Sequence, residues 1–163
     1  MRKIIIGVMG PGKNASEKDK ENAFTLGQMI AEKDWILLTG GRNAGVMDAS
    51  SKGAKDKNGL TIGIIPTKDN EQTSEFVDVS IITAMGSARN NINVLSSNVV
   101  IACGMEAGTA SEVAMAIKAD RDVILLTDNE EAKIFFKNLR SNKVSIVNSP
   151  QEAIKQVSSL LNQ

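Results

Sequence analysis

The sequence contains no histidine, and this absence removes whole classes of mechanism. No Ser-His-Asp triad can form, and no histidine is available to bind a metal. Tyrosine is also absent and aromatic residues make up only 3%, so stacking platforms for single-stranded nucleic acid are not expected. The single cysteine, Cys103, excludes an internal disulfide and a CxxC metal site, and it favours a cytoplasmic protein.

Net charge is the next quantity that the sequence lacks. The 19 Lys and Arg residues balance 19 Asp and Glu residues, so no overall field attracts nucleic acid or a membrane surface. No apolar run has the length of a membrane span, and Ile4–Met9 is too short for a signal peptide and predicts a first strand. Residues 1–163 are expected to form one domain.

Short apolar runs alternate with longer amphipathic segments along the chain. The predicted strands are Lys3–Met9, Trp35–Thr39, Leu60–Ile65, Val79–Thr83, Val99–Cys103, Val123–Thr127 and Val144–Val147. The predicted helices lie near residues 15–33, 44–57, 87–97, 109–119, 129–139 and 150–161, and the polar segment Thr67–Asp78 predicts a loop. Continuous Ile, Val and Leu runs are typical of strands buried on both faces. The pattern predicts an α/β, doubly wound, Rossmann-like fold with a mostly parallel sheet of about seven strands and helices on both faces.

Three segments have the spacing of a capping box, in which an N-cap side chain precedes a glutamate by three residues. They are Ser149–Glu152 (with proline at the first helical position), Asn14–Glu17 and Thr109–Glu112. We therefore expect helices to begin at these three points.

Three predicted turns between a strand and a helix are rich in glycine: Gly10–Asn14, Thr39–Met47 and Gly104–Glu112. In a parallel sheet, such turns share the carboxyl edge, where open α/β folds bind ligands. Helix N-termini offer free N–H groups there, and glycine allows an anion to approach the backbone closely. The sequence therefore predicts one pocket for a phosphate-bearing small molecule or an oxoanion.

Two common phosphate motifs fit poorly. The sequence has no GxxxxGK[ST], which excludes a P-loop NTPase. Residues 10–15 match GxGxxA, but the second strand ends in Thr39–Arg42 without the acid that holds a ribose, so NAD is disfavoured and NADP, through Arg42, stays open.

The glycine-rich segments resemble the Lonely Guy superfamily, once described as possible lysine decarboxylases. Gly40–Met47 is similar to its GGxxxGxM segment, Gly104–Glu112 to its PGGxGTxxE signature, and Ala88–Asn90 to its Arg-Lys pair. In the hydrolase branch, which cleaves nucleoside 5′-monophosphates, this resemblance implies catalytic roles for Arg89 and Glu112. The chain departs from that pattern, because Cys103–Glu106 replaces Pro-Gly-Gly and Asn90 replaces the lysine.

The segments 88–104 and 107–114 look closer to the molybdenum cofactor carrier proteins of the same superfamily. That resemblance implies binding of the molybdenum cofactor (molybdopterin) as cargo, homodimers or homotetramers, and molybdoenzymes as receivers. The cofactor-binding residues implied are Gly10, Gly12, Lys13, Gly40, Gly41, Arg42, Asn43, Gly45, Ser87, Arg89, Asn90, Gly104, Gly108, Thr109 and Glu112. No protein-ligated metal, nucleic acid or membrane partner is expected.

Three hypotheses remain open at this point. The first is a carrier in which backbone N–H groups and Arg89, with Lys13 or Arg42, hold the phosphate of the cargo. The second is a nucleoside 5′-monophosphate phosphoribohydrolase that uses Arg89 and Glu112. The third is a nucleotide-binding sensor. Glu112 has a structural alternative as part of a capping box, Cys103 is expected in the core, and Glu106 is either a loop charge or part of the pocket.

Overall fold

The computed structural model describes residues 2–162 as alternating strands and helices. The strands are β1 (Ile5–Met9), β2 (Ile36–Thr39), β3 (Thr61–Ile65), β4 (Val79–Ile82), β5 (Val99–Cys103), β6 (Asp122–Leu126) and β7 (Val144–Ile146). The helices are α1 (Glu17–Glu32), α2 (Gly45–Asp56), α3 (Asn90–Ser96), α4 (Ala107–Lys118), α5 (Glu130–Leu139) and α6 (Pro150–Leu161), and a 3₁₀ turn (Gly86–Arg89) precedes α3. The predicted strands and helices are thus present, with ends shifted by a few residues.

The strands form one seven-stranded sheet in the order β4-β3-β2-β1-β5-β6-β7, and every pairing is parallel. This arrangement confirms the doubly wound, Rossmann-like α/β fold. The chain moves outward from β1 to β4, then returns to the other side of β1 to begin β5. The connections after β1 and β5 therefore diverge, and a crevice opens between them at the carboxyl edge of the sheet.

Two apolar cores lie on opposite faces of the sheet. On one face, α1, α2 and α6 pack residues such as Leu26, Val46 and Ile154 against the strands. On the other face, α3, α4 and α5 do so with residues such as Val94 and Val113. Within residues 2–162, no helix combines the length and the apolar character needed to cross a membrane.

Helices α1 and α2 approach closely because each has a glycine at the crossing. A Cβ atom at Gly27 would lie 2.0 Å from the Ser50 carbonyl oxygen, and one at Gly53 would lie 2.0 Å from that of Phe24. Neither position can accept a side chain without separating the helices. This contact fixes the start of α2, and with it the loop that follows β2, beside β1.

Strand β4 differs from the expectation that the strands are buried on both faces. It is an edge strand of the sheet, and Val79, Ile81 and Ile82 are 44–46% exposed. The loop that the sequence predicts between β3 and β4 is confirmed, because residues 66–78 contain turns and no helix. With no helix in this connection, this edge of the sheet is covered less than its centre.

The predicted N-cap at Ser149 is confirmed, but none of the three capping boxes forms as predicted: at α6 the Glu152 carboxylate accepts from the Asn148 N–H rather than from that of Ser149. Ser149 caps α6, with Pro150 in its first turn. The cap of α1 is Ser16, which forms a reciprocal box with Asp19, so the box at Asn14–Glu17 is wrong. Helix α4 already begins at Ala107, which places Thr109 and Glu112 inside the helix and makes the box at Thr109–Glu112 wrong.

Candidate functional site

A cavity of about 570 Å³ lies at the carboxyl edge of the sheet, in the crevice beside β1 and β5. This volume falls within the range of pockets that bind small molecules. Its walls come from the turns after the five strands β1 to β5, which the parallel topology brings to one edge. The lining residues are Val8, Met9, Gly10, Gly12, Lys13, Asn14, Gly40, Arg42, Ala44, Met47, Pro66, Gly86, Ser87, Arg89, Asn90, Glu106, Gly108, Thr109 and Glu112.

The structure brings most of the sequence-predicted residues together around this cavity. Those that line it are Gly10, Gly12, Lys13, Gly40, Arg42, Ser87, Arg89, Asn90, Gly108, Thr109 and Glu112. Glu106, whose place the sequence left undecided, lines it too. The lining residues that sequence reasoning missed are Val8, Met9, Asn14, Ala44, Met47, Pro66 and Gly86. Gly86 belongs to a fourth glycine-bearing turn after a strand, and that signal was present in the sequence.

Four predicted residues do not line this cavity, and three of them are glycines with a structural reason. Gly41, Gly45 and Gly104 have φ angles of +74°, +54° and +79°. A Cβ atom at Gly45 would lie 2.0 Å from the Gly12 carbonyl oxygen, and one at Gly104 would lie 2.8 Å from the Asp19 carboxyl carbon. These glycines shape the turns that form the cavity. Asn43 faces a separate, open groove between α1 and α2.

The N-terminus of α4 opens onto the cavity without a side-chain cap. The first helical hydrogen bond of this turn comes from Ala110, so the N–H groups of Ala107, Gly108 and Thr109 have no partner within the helix. A Cβ atom at Gly108 would meet no atom within 4 Å, so space lies directly in front of this turn. The hydroxyl of Thr109, which is 2% exposed, has no hydrogen-bond partner within residues 2–162.

These features are those of an anion-binding helix N-terminus. Free N–H groups at a helix N-terminus carry the positive end of the helix dipole. A buried hydroxyl without a partner costs about 1–3 kcal/mol, and a ligand oxygen would remove that cost. Gly108 and Thr109, which belong to this turn, both line the cavity.

Two loops meet across the rim of the cavity through Asn14 and Glu106. The Asn14 Nδ2 donates to Glu106 Oε1 at 3.0 Å, which links the turn after β1 to the turn after β5. Glu106 is the N-cap residue of α4 but gives it no side-chain hydrogen bond. The contact therefore holds one carboxylate oxygen of Glu106 against Asn14 rather than against the free N–H groups of the helix.

Arg89 forms the floor of the cavity and is only 8% exposed. Its Nη1 donates to Asn90 Oδ1 at 3.0 Å, and its Nε is buried without a partner among the described residues. Burial lowers the pKa of the guanidinium, the nearby charge of Arg42 lowers it further, and Glu112 raises it. An arginine nevertheless stays protonated in proteins, so the floor carries a fixed positive charge.

Glu112 lies beside Arg89 and is 6% exposed. Its Oε1 accepts a hydrogen bond from Asn93 Nδ2 at 2.8 Å and lies 3.9 Å from Arg89 Nη1, which is too far for a direct hydrogen bond. Burial raises the pKa of the Glu112 carboxyl to about 7, although Asn93 and Arg89 both lower it. The carboxyl can therefore exchange its proton near neutral pH.

Cys103 lies in the core at the end of β5 and is fully buried. Its thiol donates to the Asp19 carbonyl oxygen at 3.4 Å, and burial raises its pKa well above the ordinary value. A protonated, enclosed thiol is a poor metal ligand. Within residues 2–162 no group of three or more Cys, Asp and Glu side chains is placed to hold a metal ion.

Comparison with solved structures shows the same architecture over almost the whole chain. The molybdenum cofactor binding protein from Rippkaea orientalis is 55% identical, with a TM-score of 0.98 and 99% of each chain covered. The Moco carrier protein from Chlamydomonas reinhardtii is 50% identical, with a TM-score of 0.93 and again 99% of each chain covered.

The sequence comparisons also match most of the chain. An uncharacterised protein of Archaeoglobus fulgidus is 38% identical over 154 residues, which cover 94% of each chain. The model of the SLOG cluster4 family matches residues 3–154. This chain therefore belongs to the SLOG cluster4 family.

Proposed function

We propose that this protein binds the molybdenum cofactor as a cargo and stores it or hands it on. The single observation that carries the proposal is the open N-terminus of α4, with its free N–H groups and the hydroxyl of Thr109, which has no hydrogen-bond partner within residues 2–162. Relatives at 50% and 55% identity bind this cofactor, and the chain matches them over 99% of its length.

The phosphate of the cargo is placed at the first turn of α4. The N–H groups of Gly108 and Thr109, two residues that line the cavity, donate to its oxygens, and Thr109 Oγ1 supplies a further hydrogen bond. Lys13 lines the same cavity and adds a positive charge from the turn after β1. Gly108 is required here because any side chain would enter the space that the phosphate needs.

This placement differs from the sequence-based expectation that Arg89 holds the phosphate. The Arg89 guanidinium already donates to Asn90, and the carboxyl of Glu112 lies 3.9 Å from it. A phosphate on Arg89 would meet that carboxyl, and two like charges in a buried site repel strongly. The first turn of α4 carries no such conflict, because Asn14 holds Glu106 to one side.

A carrier must also release its cargo. Hydrogen bonds from backbone N–H groups are reversible and need no bond to be broken in the ligand. The cavity opens at the sheet edge, and Asn14 and Glu106 join only through one hydrogen bond across its rim. Release therefore requires a small movement of two loops rather than a change in the fold.

The alternative function is hydrolysis of nucleoside 5′-monophosphates. Arg89 and Glu112 do lie together, as that activity would require. However, the residue that replaces the family lysine, Asn90, accepts from Arg89 and donates to Ser111 Oγ at 3.1 Å. Its side chain is thus used to fix the position of Arg89 and adds no positive charge to the site.

We also propose that the protein works as a homodimer or homotetramer in the cytoplasm and delivers its cargo to molybdoenzymes. The exposed apolar side chains of Val79, Ile81 and Ile82 on edge strand β4, with Met85 beyond it, support self-association. An exposed apolar edge strand readily pairs with another strand, and a twofold axis would bury both copies at once.

The experiment is to express the chain in a host that makes the cofactor and to analyse the purified protein. Molybdenum is measured by mass spectrometry, and the pterin by fluorescence after oxidative release. We expect both to co-purify in similar molar amounts. A purine nucleotide in place of the pterin, or free base released from AMP by the wild type but not by Glu112→Gln, would instead support the hydrolase.

A further inference from the structure

We propose that Arg89 and Glu112 together recognise the aminopyrimidinone edge of the cargo's pterin ring. This inference rests on the proposed function, because the phosphate must first be held at α4. It goes further because it assigns recognition of the pterin ring to two residues that do not bind the phosphate.

The two side chains present one donor and one acceptor next to each other. Glu112 Oε1 is occupied by Asn93, while Oε2 makes no hydrogen bond to any residue within 2–162. Arg89 Nη1 is occupied by Asn90, while Nη2 has no partner among these residues. Both side chains line the cavity, so the open acceptor and the open donor are offered to the same ligand.

The distance between the two side chains leaves room for a ligand that forms hydrogen bonds to both of them. Arg89 Nη1 and Glu112 Oε1 are 3.9 Å apart, close enough to attract but too far to satisfy each other. A group that both accepts and donates on adjacent atoms can bridge such a gap. The aminopyrimidinone edge of a pterin does so, because its ring carbonyl accepts while the neighbouring ring N–H and amino group donate.

The position of the pair fits this role. Thr109, at the proposed phosphate end, and Glu112 are one helical turn apart on α4, so both face the cavity at different depths. Gly40 allows the Arg89 guanidinium to lie flat against the backbone, since a Cβ there would lie 2.7 Å from both Nη atoms. Glu106, the other acidic residue of the cavity, is exposed and held by Asn14 at the rim.

Guanine carries the same edge as a pterin, which gives a direct test with simple nucleotides. GMP, IMP and AMP share one ribose phosphate and differ only in the base. IMP lacks the amino group, and AMP reverses the donor and acceptor. We expect wild-type protein to bind GMP about tenfold more tightly than IMP, and AMP most weakly, as measured by calorimetry with the nucleotides checked for integrity afterwards.

The ratio of the GMP and IMP affinities is the informative quantity, because any effect on the shared phosphate cancels. Glu112→Gln should reduce this ratio to about one. Glu106→Gln, a matched change at the rim, should alter both affinities together and keep the ratio. Equal affinities of the wild type for GMP and IMP would overturn ring recognition by Arg89 and Glu112 but would leave the proposed phosphate site intact. Failure to bind any of the three nucleotides or inorganic phosphate would overturn the phosphate site itself.

Discussion

The guanidinium of Arg89 lies against the backbone of Gly40, so close that a Cβ at Gly40 would lie 2.7 Å from both Nη atoms. Gly40→Ala should therefore displace Arg89 from the floor of the cavity. The other close atom, the Met47 sulfur at 2.8 Å, is also the flexible part of a side chain, so the fold should tolerate the methyl group. We expect GMP affinity to fall about tenfold and inorganic phosphate affinity to change less than threefold, by calorimetry. An equal loss for both ligands would contradict the separate placement of ring and phosphate.

Replacing Thr109 with valine should affect the stability of the protein and its affinity for phosphate in opposite directions. Thr109→Val keeps the shape of the side chain and removes a buried group that has no partner among the described residues. We expect the melting temperature of the ligand-free protein to stay the same or rise, and phosphate affinity to fall about tenfold.

Thr39→Val is the matched control for that substitution. Thr39 is also buried, but its hydroxyl accepts from the Gly41 N–H at 3.0 Å. Its loss should destabilise the protein by about 1 kcal/mol, because a buried N–H is left unpaired. If Thr109→Val destabilised the protein as much as Thr39→Val does, the Thr109 hydroxyl would have a structural role rather than a binding one.

The raised pKa of Glu112 predicts how stability changes with pH. The folded pKa of about 7 lies above the ordinary value of 4.5, so the folded state binds more protons than the unfolded chain between these values. The Glu112 contribution to stability is therefore fully present below about pH 4.5 and is lost as the pH rises through 7. Burial acts against the hydrogen bond from Asn93 and the charge of Arg89, which both favour the ionised form.

Denaturation of the wild type and Glu112→Gln across this range isolates the effect, because the other cavity charges (Lys13, Arg42, Arg89 and Glu106) are common to both. The two should be similar at pH 5. By pH 8 the variant should be more stable, by an amount on the order of a few kcal/mol. A stability difference that does not change with pH would contradict a carboxyl that titrates near neutrality.

The exposed side chains of β4 predict a self-association surface. Ile81 is 44% exposed on the edge strand, and a lysine there would place a charge in the proposed interface. We expect light scattering to give a multiple of 17.4 kDa for the wild type and a lower mass for Ile81→Lys. Ile134→Lys, on exposed α5 far along the sheet order, should keep the wild-type mass. A monomeric wild type would contradict the proposal.

The sequence predicts the fold well because the relevant signals are local. Runs such as Val99–Cys103 are continuous and apolar, and all five residues are buried between two layers of helices. The exposure of β4 could not be read from its composition, since Val79–Ile82 is as apolar as the central strands. It follows from the strand order, which depends on long-range pairing.

The capping boxes show where local signals fail. The spacing of Thr109 and Glu112 matches a box, but the free space before Gly108 and the turn at Gly104 let α4 begin earlier, at Ala107. Likewise Asn14 does not cap α1, which begins at Glu17 with Ser16 as its N-cap, and the Asn14 amide instead donates across the rim to Glu106. In both cases a distant contact or a ligand space determines the role of the residue, and a single sequence carries no record of either.

The glycines of the three glycine-rich turns have two different roles, which the sequence alone does not distinguish. Gly40 and Gly108 lie at the cavity wall, whereas Gly41, Gly45 and Gly104 are needed for turn conformations. All five have the same appearance in a glycine-rich motif. Only the path of the backbone separates a glycine that makes room for a ligand from one that makes a turn.

The central claim is that the cargo's phosphate occupies the space before the first turn of α4, and Gly108→Leu tests it most directly. The new side chain would meet no protein atom at its Cβ, so the helix should fold normally while the phosphate position is filled. Ala107→Leu is the control, because Ala107 is exposed in the same turn and does not line the cavity. Molybdenum and pterin per chain are measured after purification from a cofactor-producing host. The account predicts that Ala107→Leu keeps both at wild-type levels and that Gly108→Leu loses at least nine-tenths of both, about the effect of a tenfold or greater loss of affinity. A folded Gly108→Leu protein that retained its full cargo would contradict it.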